Sequence, residues 1–134
     1  MNRIFIIISL FCLLISSRAI AQSSLLDTTH VFSSHVNVDL RSGQVLADTF
    51  HIEISASSLK LQSTQRTSEF PVENVIGTWT DISQAGELTF DILVLDVRGK
   101  GRLERVDGSL YLTIDLSERK DWMKRRFTLN TTMP

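Results

Sequence analysis

The sequence predicts an all-β protein: a small, mainly antiparallel β-sandwich or barrel of about eight short strands, set behind an N-terminal signal peptide. Three observations carry this reading. Apolar residues recur with a period of two along most of the chain from Val31 to Leu129. Turn residues interrupt them at close intervals, as at Arg41-Ser42-Gly43 and Asp107-Gly108. No long segment shows the 3.6-residue period of an amphipathic helix. The same pattern suits a sandwich and a closed barrel.

The first element is the leader. In the 134-residue chain, Arg3 precedes the apolar run Ile4 to Ile15, and Ala19-Ile20-Ala21 follows. A positive start, an apolar core and small residues two positions apart make residues 1–21 a secretory signal peptide, with cleavage expected between Ala21 and Gln22. Twelve helical residues reach only about 18 Å, against the roughly 30 Å of a bilayer's apolar layer. The expected product is therefore exported, periplasmic or secreted, with no stable membrane span after cleavage. Cleavage also removes Cys12, the only cysteine, and leaves 12 basic against 15 acidic side chains. Thiol chemistry, disulfides and generic binding to nucleic acid are excluded on this reading.

Residues 22–30 read as a loose lead-in with one apolar pair, Leu25-Leu26, and residues 31–131 as a single β domain. The runs flanking Arg41-Ser42-Gly43 form a hairpin. A three-residue loop with Gly43 in the left-handed region pairs Leu40 with Gln44 and Val38 with Leu46, collecting Val36, Val38, Leu40, Leu46, Phe50, Ile52 and Ile54 on one face. Leu59 and Leu61 belong to the next strand. Residues 63–69 read as a polar loop, ended by Phe70-Pro71, where proline is expected to stop regular pairing. Val75 to Ile82 is a further strand, and Leu88, Phe90, Ile92 and Val94 show the clearest alternation. Arg98-Gly99-Lys100-Gly101 reads as a turn and Asp107-Gly108 as a tight hairpin, after which Leu110, Leu112, Ile114 and Leu116 face the core. The last strand, Trp122 to Thr131, sets Met123, Phe127 and Leu129 on one face, and Arg125 breaks that apolar face. One helical turn at most is expected in the polar stretch before it.

The hairpin register has a chemical consequence. It places His35, Asn37 and Asp39 on the same outer face as Thr49, His51 and Glu53, with His35 opposite Thr49 and diagonal to His51. Imidazoles and a carboxylate so arranged are what a zinc-like metal requires, which makes His35, His51 and Glu53 the candidate metal ligands and the only basis for a small metal-dependent hydrolase. The plainer reading is a solvated outer face, and no metal or other cofactor is expected. No catalytic residue is assigned: Gly-x-Ser-x-Gly is missing, and Asp91, Asp96, Asp107 and Asp115 have no partner at a defined spacing.

At the C-terminal end, Trp122, Lys124 and Arg126 share one face and are the candidate partner-binding residues, because tryptophan offers contact area and arginine a forked donor. A basic edge strand would look the same. Gly77-Thr78-Trp79 resembles the Gly-x-Trp signature of lipocalin-type barrels, in which the tryptophan closes the barrel floor; that resemblance implies an internal cavity for a small apolar ligand. It covers three residues, and here they lie mid-chain rather than on the first strand. The expected function is thus non-catalytic binding, slightly in favour of a protein partner in the envelope or outside the cell, with a lipocalin-like ligand carrier as the alternative. The partner is preferred because Leu, Ile, Val and Phe at the core-facing positions are expected to fill the interior.

Overall fold

The computed structural model describes residues 24–116 and 123–131. Nine strands follow a 3-10 turn, Leu25–Asp27: β1 (His30–Asp39), β2 (Val45–Leu46), β3 (Phe50–Ile54), β4 (Ser58–Gln62), β5 (Thr67–Ile76), β6 (Gly86–Val94), β7 (Val97–Val106), β8 (Ser109–Asp115) and β9 (Lys124–Thr131). Each is antiparallel to its neighbours, and β9 returns to pair with β1. Eight strands therefore close into an up-and-down barrel, and β2 hangs on β1 as an extra two-residue strand. Closure pairs every strand of the ring on both sides.

The alternation read from the sequence locates the core. Leu88, Phe90 and Ile92 on β6, Leu110, Leu112 and Ile114 on β8, and Phe127 and Leu129 on β9 are all buried. The Asp107-Gly108 turn is tight as expected: Val106 pairs with Ser109, and both turn residues have positive φ, 51° and 78°. The predicted pairing of β1 with β3 also holds, from Ser34 opposite Phe50 to His30 opposite Ile54.

Other expectations are corrected. The first hairpin closes through four residues, 40–43. Asp39 N–H donates to Gln44 O and Gly43 N–H to Asp39 O, so Val38 faces Val45 rather than Leu46. A bulge between Ser33 and Val36, seen in the β1–β9 ladder, reverses the inside–outside phase of β1. Phe32, Ser34 and Asn37 are buried, while Val36 and Leu40 are exposed. Asn37 therefore leaves the predicted outer face.

Residues 67–71 are not loop but part of β5, and Pro71 lies opposite Ser58 of β4. The proline is tolerated because the ladder to β6 starts only at Val72 opposite Ile92, so its missing N–H interrupts no bond on that side. β5 ends at Ile76, and residues 77–85 form a loop rather than the rest of a strand. Residues 98–101 run through the middle of β7 instead of turning. Gly101 lies opposite Phe90, and a Cβ there would meet the Phe90 ring at 2.1 Å. The glycine marks a seat for an aromatic ring in the sheet, not a reversal. The reversal comes earlier, at Leu95-Asp96, between Val94 and its partner Val97.

Candidate functional site

The two ends of the barrel are built differently. At the floor, Leu25 and Leu26 are buried against the core, so residues 25–27 act as a plug where the sequence suggested a loose lead-in. Leu25 N–H donates to Trp79 O at 2.9 Å, and Ala56 N–H donates to Leu26 O at 2.8 Å. The Trp79 ring is buried over Gly86, and its Nε1–H donates to Gln84 O at 3.1 Å. A Cβ on Gly86 would sit 2.1 Å from that ring, so the glycine is what lets tryptophan lie on the strand. The tryptophan of the Gly-x-Trp resemblance thus does sit at a barrel floor. It is positioned by a long loop between β5 and β6, with four ring strands before it and four after.

The opposite end is open. A cavity of about 770 Å³ enters the barrel there. Its apolar and aromatic wall is formed by Phe50 on β3, Leu61 on β4, Phe70 on β5 and Phe127 on β9, with Val94 and Leu116; Leu61 and Phe127 are buried, Phe50 and Phe70 half-buried. Phe50 and Phe127 meet edge to face, their centroids 5.2 Å apart. The rim is polar, formed by Asp48 and Thr49 before β3 and by the β4–β5 loop from Ser63 to Arg66. Arg125 also lines the cavity, two residues from Phe127 on the inward side of β9. Its interruption of the apolar face was visible in the sequence, but only barrel closure gives it a cavity to face. Phe70 and Ser68 were missed as wall residues because their polar surroundings read as loop.

The predicted metal ligands fall into two separate pairs. His35 Nδ1 lies 3.3 Å from Thr49 Oγ1, as the register required, and His51 Nε2 lies 3.4 Å from Glu53 Oε1 on the exposed outer wall. Among the described residues no three His, Cys, Asp or Glu side chains gather closely enough to hold a metal ion. Of the candidate partner-binding set, Lys124 and Arg126 share the outer face of β9, as the alternation required. Lys124 Nζ lies 3.8 Å from Asp115, Arg126 stacks over the Tyr111 ring at 4.7 Å, and Trp122 lies outside the described residues, as do residues 1–21, where the sequence suggested a leader. β9 is hydrogen-bonded to β8 and to β1, so it is not an edge strand.

The most concentrated electrostatics lie on the outer wall, around Asp91 on β6. Asn74 Nδ2 donates to its carboxylate at 2.8 Å, Arg98 donates at 2.8 Å, and Lys100 donates to its other oxygen. Asn74, then Lys100 and Arg98, hold the carboxyl far below the ordinary range against an opposing desolvation. Asn74 reaches it from a bulge in β5, with φ 54°. Arg98 also meets Glu73 Oε2 at 3.4 Å. The arrangement is an ion-paired brace across β5, β6 and β7, without a free base or nucleophile. Asp107 sits in its hairpin turn and Asp115 beside Lys124, so the four candidate carboxylates do not converge.

No family model, curated protein or solved structure matches the chain.

Proposed function

We propose that the protein is an exported binding protein that holds a small, largely apolar molecule in the open end of its barrel, and that it performs no chemistry on it. The observation that carries this is the cavity itself: about 770 Å³, walled by phenylalanine and aliphatic side chains, rimmed by polar ones and stopped below by the packed core. Small-molecule sites commonly occupy about 300–1,000 Å³ with an apolar wall and placed polar groups; here half of the lining residues are polar, most of them at the rim. The sequence argument for a protein partner assumed a filled interior, and the filling stops short of the mouth. Export rests on the leader pattern of residues 1–21.

The reading is tested with straight-chain alcohols from hexanol to decanol, titrated calorimetrically. Each added methylene buried in the cavity contributes about 0.8 kcal/mol, so affinity is expected to rise roughly fourfold per carbon until the space is filled. Ser68→Trp, which puts a large side chain at a cavity-lining position opposite Leu61, is expected to remove binding and leave the melting transition intact. Affinity independent of chain length, or unchanged in Ser68→Trp, would refute the proposal. A protein partner met through the outer wall of β9 instead predicts capture that Trp122→Ala with Arg126→Ala abolishes.

A further inference from the structure

We infer that the molecule held in the mouth is an amphiphile with a single anionic head, its tail against the Phe50, Phe70 and Phe127 wall and its head held by Arg125 and Arg66. This rests on the ligand-binding reading of the cavity. Arg125 occupies an inward position on a strand whose other inward residues are Phe127 and Leu129. A guanidinium placed in an apolar wall is costly unless an anion meets it. Among the described residues, Arg125 and Arg66 make no ion pair and donate no side-chain hydrogen bond, while Arg98, Arg102 and Arg105 all do.

The acids nearby do not satisfy the pair. Asp39 faces Arg125 across the β1–β9 ladder and is attracted to it, without reaching ion-pair distance. Its carboxylate already accepts the backbone N–H of Arg41 at 2.9 Å and of Ser42 at 3.4 Å, which closes the hairpin turn. Asp48 is the one acid lining the cavity, against the two arginines. The lining therefore carries one net positive charge, which suits a monoanion better than a dianion or a cation. A carboxylate is the matching head, since its two coplanar oxygens fit the guanidinium fork. Arg66 stands at the rim and Arg125 is the inward residue of β9 one step nearer the mouth than Phe127, so the tail enters first and the head stays toward water.

The test compares decanoate, decanol and decyltrimethylammonium by calorimetry on the wild-type protein and on the Arg66→Gln/Arg125→Gln double variant. Wild type is expected to bind decanoate at least tenfold tighter than decanol, to bind the cation more weakly than decanol, and to lose decanoate affinity as salt rises. In the double variant, decanoate is expected to fall to the level of decanol, with decanol unchanged as the control for an intact cavity. Equal binding of decanoate and decanol by wild type overturns the anionic head and leaves the apolar-ligand reading standing; failure of all three ligands overturns both. A preference for decanoate that survives the double substitution overturns the assignment to these arginines. Should the double variant fail to fold, Arg66→Gln alone, at an exposed loop position, is expected to cut the preference at least twofold, and an unchanged preference counts against the inference.

Discussion

Asp91 shows how one outward side chain can be buried without joining the core. Its side chain is only 9% exposed, yet it points away from the barrel interior and is covered by its own hydrogen-bond donors. Because its folded-state pKa is depressed, the stability it contributes is fully present above the unfolded value near 3.8 and is lost as pH falls through the lower folded value. Asp39 and Asp81 shift the same way, through the backbone N–H of Arg41 and the hydroxyl of Ser83 respectively. Wild-type melting temperature is therefore expected to drop steeply below about pH 4. Asp91→Asn is expected to cost about 1–2 kcal/mol at neutral pH, since its charged partners are largely solvated. It should also flatten the acid limb of the melting curve; parallel limbs for the two proteins would show that the brace contributes nothing. None of this was legible beforehand, because an aspartate alternating with Phe90 and Ile92 looks like any solvent-facing strand residue.

At the scale of the strand, the bulge in β1 has the largest effect on what can be read. A strict period of two across residues 32–40 places Val36, Val38 and Leu40 inside; one extra residue between Ser33 and Val36 instead turns Asn37 in and Val36 out. The Asn37 amide finds no hydrogen-bond partner among the described residues and is fully buried. Replacing it by leucine, which has the same branching and number of side-chain heavy atoms, removes that desolvation cost and is expected to raise stability by about 1–2 kcal/mol in urea unfolding. A loss of stability would mean that the amide is satisfied in solution. The other misread strands have equally local causes. β5 is written in Thr67, Ser68, Glu69 and Pro71, residues that carry no hydrophobic alternation although their exposure does alternate. In β7, Gly99 and Gly101 imitate a turn because glycine serves both reversal and close approach of a ring. In β8, where side chains were large and strictly alternating, the reading needed no revision, and in β6 only the end moved, to the reversal at Leu95-Asp96.

The whole molecule combines a plugged end with an open one, and the sequence showed the materials of each without their assembly. Trp79 and the Leu25-Leu26 pair stood out as residues; that they meet at one floor follows only from closure of the ring. Leu26→Ala is expected to cost about 2–4 kcal/mol by leaving a cavity under the β3–β4 loop, while binding at the far end persists in the fraction that stays folded. A matching loss of ligand affinity in folded protein would show that the two ends are coupled. The strand read as a basic partner edge is interior for the same reason, since closing the sheet pairs β9 with β1 as well as β8. The seam where β1 meets β9 has one more consequence. It joins residues 32–39 to residues 125–131, about the full length of the described chain apart. Contacts between such distant segments are slow to form. During synthesis the ring cannot close until residues 125–131 are free to pair with β1, so the last strand to be made is the one that shuts the barrel.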